Sequence, residues 1–221
     1  MTRIISFDMD GTLIAGEFTD GVWKQGIPAL YAAKEGISFE AAKSFVEAEY
    51  DKVGEGAIEW YDIKYWLQFF ELNKDWRTLL GQYADKIRVY PDAKPMLSRL
   101  KERHRLILTS NAGREFLEVE LNTTGLGRYF SQIFSATSDF GEVKKTTHVY
   151  DRICRMLGVT PEEIIHVGDH YEFDYLVPRS IGIQAFFLDR SGQRNGDSFL
   201  RNLEDLEKEL RTEGNARGRS W

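Results

Sequence analysis

Apolar residues along this chain follow two rhythms. Near the N-terminus Ile4-Ile5-Ser6-Phe7 is a short run that stops at Asp8-Met9-Asp10-Gly11-Thr12, as a buried parallel strand does where its C-terminal end leaves the apolar layer. From about Thr19 to about Ile87 the spacing turns helical and predicts helices over roughly 20–34, 38–52, 57–72 and 75–87, broken at Gly36, at Gly54-Glu55-Gly56 and at Asn73. Ser38 and Asp75 are placed as N-caps. The third helix carries Trp60, Tyr61, Tyr65, Trp66, Phe69 and Phe70. Such an aromatic surface covers most sides, so this helix is expected at the centre of a small bundle.

After Tyr90-Pro91-Asp92 strands and helices alternate. The pattern predicts a helix over 92–102, a strand over 106–109 ending at Ser110-Asn111, and a helix over 113–122. A strand over 133–135, a helix over 146–157 closed by Gly158, a strand over 164–167 ending at Gly168-Asp169 and a strand over 185–188 follow, with a last helix over 203–210. Pro178 fits the first turn of a helix beginning near Leu176, where a missing N–H costs nothing. Alternation of this kind calls for an α/β fold, a Rossmann-like doubly wound parallel sheet with its site beyond the strands' C-terminal ends, carrying an inserted α-helical bundle. The expected division is a core over 1–15 and 88–211, the bundle over 16–87, and a mobile Gly- and Arg-rich tail over 212–221.

Composition narrows the partners. At 221 residues, 42% hydrophobic and 29% charged, the chain can bury a real core. Its net charge of −6 argues against nucleic acid and acidic membrane surfaces. One cysteine, Cys154, excludes an intrachain disulfide and a thiolate zinc site, and no stretch approaches 18 consecutive apolar residues. A cytoplasmic protein, monomer or homodimer, is expected.

Four strand ends carry polar residues where apolar runs stop or a helix is about to begin: Asp8 and Asp10, Ser110 and Asn111, Lys144 and Lys145, and Asp169 with Asp174. A parallel sheet gathers these ends on one edge. Several carboxylates, an ammonium group and hydroxyl and amide donors suit a phosphoryl dianion bridged by a hard divalent cation such as Mg²⁺. The four histidines show no metal-ligand spacing.

Asp8-x-Asp10-Gly11-Thr12, Ser110 at a strand end, the Lys144 region before a helix, and Gly168-Asp169-x4-Asp174 resemble, in order, the four motifs of the haloacid dehalogenase superfamily of phosphohydrolases. The insertion resembles the helical cap of its phosphoglycolate phosphatase-like subgroup. The resemblance implies a Mg²⁺-dependent phosphatase acting on a small phosphorylated metabolite through an aspartyl-phosphate. Asp8 would be the nucleophile and Asp10 the general acid and base, with Thr12 orienting Asp10. Asp8, Asp10, Asp169 and Asp174 would form the metal site, Asp10 through its carbonyl and Asp174 at longer range. Ser110, Asn111 and the Met9 segment would hold phosphoryl oxygens. Lys144 is assigned as the motif lysine because Tyr150 follows six positions later, with Lys145 as the alternative. Ser110 is preferred over Thr109 for the phosphate because strand alternation sends the two to opposite sides. Glu55, in the flexible Gly54-Glu55-Gly56 break, is the candidate for reaching the leaving group from the cap. A phosphomutase, a 2-haloacid dehalogenase of the same superfamily and a non-catalytic phosphate-binding or signalling domain are the alternatives. Asp10 speaks against a dehalogenase, since a halide needs no proton to leave.

Overall fold

The computed structural model describes residues 3–196 and 198–217. Its strands are β1 (Ile4–Phe7), β2 (Ile14–Ala15), β3 (Arg88–Val89), β4 (Arg105–Ser110), β5 (Gln132–Ser135), β6 (Ile164–Gly168), β7 (Gln184–Leu188) and β8 (Phe199–Leu200). Six of them make one parallel sheet in the order β5-β4-β1-β6-β7-β8. The mostly apolar look of the first run follows from its place: β1 has a strand on either side and apolar layers above and below, and it is buried throughout. Side chains alternate, so Ile5 and Phe7 join one apolar cluster and Ile4 the other, on the opposite face of the sheet. Phe7 is in register with Leu108 of β4 and Val167 of β6. Asp8, one residue on, therefore stands level with Thr109 and Gly168. The strand order reverses beside β1, which opens the crevice there.

Helices cover both faces. In the insertion, α1 (Glu17–Gly21) runs through a π-helical turn at Val22–Gly26 into α2 (Ile27–Glu35), which ends on left-handed Gly36. Then come α3 (Phe39–Val53), a 3₁₀ turn at Ile58–Tyr61, α4 (Ile63–Phe69) and α5 (Trp76–Gly81). Ser38 and Asp75 cap α3 and α5 as expected, accepting from the N–H groups of Ala41 and Thr78. The single helix predicted over 57–72 is two pieces, because the Asp62 carboxylate takes the N–H groups of Lys64 and Tyr65 and starts a new helix. Trp66 is wholly buried and contacts Tyr50, Phe69 and Phe70, whereas Phe69 is 46% exposed. The aromatic segment is thus half core and half surface.

The chain enters and leaves the insertion side by side: β2 and β3 pair antiparallel, Ile14 with Val89 and Ala15 with Arg88. Beyond that neck lie α6 (Ala93–Lys101), α7 (Arg114–Thr124), α8 (Ala136–Phe140), α9 (Thr147–Leu157), α10 (Val177–Ser180) and α11 (Leu203–Arg217). The insertion rests on α7, where Phe116 stacks on Trp23 with centroids 5.2 Å apart and meets the edge of Phe18 at 5.8 Å. Two expectations are corrected. The helix holding Pro178 begins with a π-helical turn at Tyr171–Leu176, not at Leu176. The last helix continues past Leu210 to Arg217, so the tail expected over 212–221 is helical over its first part; residues 218–221 lie outside the described residues.

Candidate active site

Each chemical group arrives from its own strand end. Asp8 follows β1 directly and is 6% exposed. Gly11 takes φ +75°, and a Cβ there would fall 2.0 Å from Asp169 Oδ2. Glycine is thus required twice over, for the left-handed turn and for the Asp169 carboxylate lying against its backbone. Gly168 plays the same part for Asp174: its absent Cβ would sit 2.3 Å from the Asp174 carboxyl carbon. Asp174 itself projects from the π-helical turn after β6, a local overwinding often found at functional sites.

Lys145, rather than Lys144, reaches Asp8. Its ammonium is buried and contacts Asp8 Oδ1, with Asp174 Oδ1 2.5 Å away. Its backbone N–H donates to Asn111 Oδ1 at 2.8 Å, so Asn111 aims the lysine. Lys144 turns outward from the bend before α9, donating to the Tyr61 hydroxyl of the insertion at 2.6 Å. The spacing to Tyr150 misled the sequence assignment: Tyr150 is buried and spends its hydroxyl on the Phe173 carbonyl at 2.9 Å.

The other expected residues divide. The Ser110 hydroxyl oxygen is buried and accepts from the Ala112 N–H at 3.0 Å, which leaves its proton to donate. Thr12 donates to Asp8 Oδ2 at 3.3 Å instead of orienting Asp10. The Met9 side chain is fully buried in the core, so only its backbone borders the site. Glu55 is exposed; the Tyr61 hydroxyl lies 3.3 Å from its carbonyl oxygen, and it is Tyr61 that meets the core.

A buried polar row beneath Asp8 went unread in the sequence. Thr109 and Ser6 hydroxyls lie 2.9 Å apart, Ser6 Oγ is 2.8 Å from His166 Nδ1, and His166 Nε2 is 3.0 Å from Asp174 Oδ1. Ser6 and Asp8 fall on the same side of the β1 path, so the row underpins Asp8. Burial lowers the His166 pKa despite Asp174, favouring the neutral ring. Nε2–H then donates to the Asp174 carboxylate. The signal that could have been read was polarity at strand positions that should be apolar: Ser6, Thr109 and His166 all break otherwise hydrophobic runs. Glu120 of α7 was also missed. It is fully buried with neither carboxyl oxygen hydrogen-bonded, and burial, then Asp10 and Asp8, push its pKa well up.

The electrostatics favour a cation. Four carboxyl groups, of Asp8, Asp10, Asp169 and Asp174, face one buried ammonium. Burial and the neighbouring carboxylates push Asp8 up to about 8 despite Lys145. Burial and Asp8 push Asp10 up to about 7, and burial and Asp174 push Asp169 up to about 6. Asp174 alone stays well below the usual range: burial opposes its charge, but Lys145 and His166 outweigh it. Oxygens of Asp8, Asp169 and Asp174 come within 4.8 Å of one another, and a buried Asp10 oxygen has no partner. This all-oxygen, acid-rich set fits a hard divalent ion such as Mg²⁺. Both Asp174 oxygens already accept, from Lys145 and His166 on one side and the His170 N–H at 2.9 Å on the other. Asp8 likewise accepts at both oxygens, from Lys145 and Thr12, which leaves Asp169 the freest donor of the three.

Comparison with known proteins agrees with this geometry. The GMP/IMP nucleotidase YrfG of Escherichia coli strain K12 is 27% identical over 167 residues, covering 75% of this chain and 73% of that protein. Haloacid dehalogenase-like hydrolase domain-containing protein 3 of Danio rerio is 34% identical over 110 residues, covering 47% and 44%. Among solved structures, a HAD phosphatase from Thermococcus onnurineus superposes with TM-score 0.80 at 27% identity over 95% of this chain and 98% of its own. A 2-haloacid dehalogenase from Pseudomonas syringae shares the fold, with TM-score 0.66 at 20% identity over 96% and 99%. The haloacid dehalogenase-like hydrolase model matches residues 2–182, and the chain belongs to that family of hydrolases.

Proposed function

We propose that this hydrolase cleaves a small phosphate monoester through an aspartyl-phosphate on Asp8. The observation that carries the reading is the buried Asp8 carboxylate gripped by Lys145, with Asp10 two residues on and its pKa raised to about 7. One Asp8 oxygen would attack phosphorus while Asp10, carrying its proton near neutral pH, protonates the departing oxygen. Asp10, now ionised, would take a proton from the water that cleaves the acyl phosphate. Lys145, Ser110 and neighbouring N–H groups would offset charge on the phosphoryl oxygens. Asp8, Asp169 and the Asp10 carbonyl would hold Mg²⁺, with Asp174 behind them; bound there, the ion supplies positive charge that keeps Asp8 ionised and neutralises the dianion.

The insertion would act as a cap that excludes bulk water and restricts substrates to small esters. The nucleotide substrates in the name of the Escherichia coli relative are one candidate class. The test is turnover of p-nitrophenyl phosphate by the wild type, Asp8→Asn and Asp10→Asn, with and without EDTA. Asp8→Asn should be inactive, because an amide is a poor nucleophile. Asp10→Asn should keep Mg²⁺ affinity but lose kcat, and EDTA should abolish wild-type activity until Mg²⁺ is restored. Full activity of Asp8→Asn would refute the mechanism. Halide release from 2-chloropropionate, with no phosphatase activity, would establish the dehalogenase alternative.

A further inference from the structure

Arg190 is a largely buried cation that the proposed chemistry leaves out. It stands two residues beyond β7 with its side chain 19% exposed. Its Nη1 and Nη2 donate to the two Asp92 carboxylate oxygens at 3.0 and 3.1 Å, and Nη2 also donates to the Thr12 carbonyl at 2.7 Å. The guanidinium carbon lies 3.8 Å from the centre of the Tyr90 ring. Stability alone does not account for this arrangement. Among the described residues Nε is buried with no hydrogen-bond partner, and a buried ion pair gains little over apolar side chains of the same shape. Asp92 is also diverted from its local use. It occupies the N-cap of α6 without capping it, and one of its oxygens instead takes the Leu203 N–H, at the start of α11, at 2.9 Å. What a guanidinium does that an apolar group or an ammonium cannot is hold several partners at once in one rigid plane.

Those partners surround the residues that carry the chemistry. Thr12 belongs to the turn that presents Asp8 and Asp10, in which the Met9 carbonyl accepts from the N–H groups of Thr12, Leu13 and Ile14 at 3.3, 2.8 and 3.1 Å. The Thr12 hydroxyl donates to Asp8 Oδ2 at 3.3 Å, so a donor that fixes the Thr12 carbonyl also steadies the residue touching Asp8. Tyr90 follows β3 directly, and its N–H donates at 3.0 Å to the carbonyl of Leu13, just ahead of β2. Arg190 thus grips both passes of the chain at the root of the neck, where the insertion joins the core. Its own backbone is held in turn, because the neighbouring Asp189 carboxylate accepts from the N–H groups of Ser191, Gly192 and Arg194 and from Arg201 Nη1.

We propose that Arg190 is a positioning residue, which pins the Asp8–Asp10 turn and the root of the neck to the end of β7 so that movement of the insertion does not displace the two aspartates. The proposal rests on the phosphatase reading for the reaction it serves, and it adds a residue outside the four strand-end motifs. Without the guanidinium the Thr12 carbonyl loses its donor at 2.7 Å and the Tyr90 ring loses the cation over its face. A shift of about 1 Å in a reacting group can lower turnover by about 10²-fold.

The experiment uses the full-length wild type, Arg190→Lys, Arg190→Met and, as a control, Leu206→Ala at a buried position of α11 outside the site. Three quantities are measured: turnover of p-nitrophenyl phosphate at saturating Mg²⁺, Mg²⁺ affinity by calorimetry, and the thermal midpoint. Arg190→Lys keeps a charge for Asp92 but not the fork. Its kcat should fall about tenfold or more with KM within about threefold, and Mg²⁺ should bind roughly tenfold more weakly, since the turn supplies Asp8 and the Asp10 carbonyl to the proposed ion site. Arg190→Met should lose more of both. Leu206→Ala should lower the midpoint at least as far as Arg190→Lys, yet keep kcat and Mg²⁺ affinity within about twofold at a temperature well below every midpoint. Wild-type kcat and Mg²⁺ affinity in Arg190→Lys overturn the proposal, as do losses in Leu206→Ala equal to those in Arg190→Lys. A wild type inactive on p-nitrophenyl phosphate overturns the phosphatase reading, and Mg²⁺ affinity then decides on Arg190 alone: weakening confined to the Arg190 variants upholds the pinning of the turn, and equal affinity in all four proteins overturns it.

Discussion

Lys145→Met is the sharpest test of the site's energetics. The methionine nearly preserves volume but strands Asp8 and Asp174, 6% and 0% exposed, without the ammonium that both now contact. Removing one partner of a buried pair costs about 3–5 kcal/mol, because a buried charge is left uncompensated. Against a total stability on the order of 5–15 kcal/mol the variant should still fold. For a chain of this size each kcal/mol moves Tm by about 2–4 °C, so the midpoint should drop by roughly 6–20 °C. Lys144→Met, whose partners are neutral, should cost on the order of 0.5 kcal/mol. Thermal unfolding at pH 7 in chelator measures both. Adding Asp174→Asn to Lys145→Met should return part of the loss, giving a coupling of about 1 kcal/mol or more in a double-mutant cycle. With Mg²⁺ restored, Lys145→Met should lower kcat on p-nitrophenyl phosphate by about 10²-fold or more. A Lys145→Met protein as stable as the wild type, or a larger loss from Lys144→Met, would refute the assignment of the two lysines.

Two more outcomes follow from the geometry. Gly11→Ala must place a Cβ 2.0 Å from Asp169 Oδ2 at φ +75°; beyond about 1–2 kcal/mol for the left-handed backbone, it should displace Asp169 and weaken Mg²⁺ binding by calorimetry about tenfold, and unchanged affinity would contradict the proposed ligand set. Asp8 and Asp10 have folded pKa values of about 8 and 7 against an ordinary 3.8, so the folded state binds more protons than the unfolded one between those values. The metal-free protein should therefore lose stability as pH rises from about 4 to about 8, with the stabilisation by added Mg²⁺ largest at the upper end; a metal-free Tm that rises across this window would show that burial and the neighbouring carboxylates do not oppose ionisation of this pair.

What was legible in the sequence was whatever a local pattern encodes. The mostly apolar runs at 4–7, 106–109, 164–167 and 185–188 became β1, β4, β6 and β7, since burial on both faces favours apolar side chains, with Ser6, Thr109 and His166 as the polar exceptions beneath Asp8. Ser38, Asp75 and Gly158 marked helix ends because caps act within one turn. The ordered acids, Ser110 and the lysine pair announced the chemistry, because a parallel sheet brings its strand ends together whatever lies between them. The two-residue strands β2, β3 and β8 left no periodicity to detect; pairing with distant chain defines them.

Choices between adjacent groups needed the third dimension. Lys144 and Lys145 are equivalent in composition, and only the path of the loop before α9 sends one to Asp8 and the other to Tyr61. Thr12 could have served either neighbouring aspartate, and the turn at Gly11 delivers it to Asp8. His166 reads as an isolated histidine until the register of β1 and β6 puts it opposite Ser6 and the π-helical turn brings back Asp174. The physical reason is common to all three. Residue type sets what a side chain can do, but which charge it meets in a medium of low dielectric depends on backbone direction over a few ångströms, and that direction is set by packing between elements far apart in the chain.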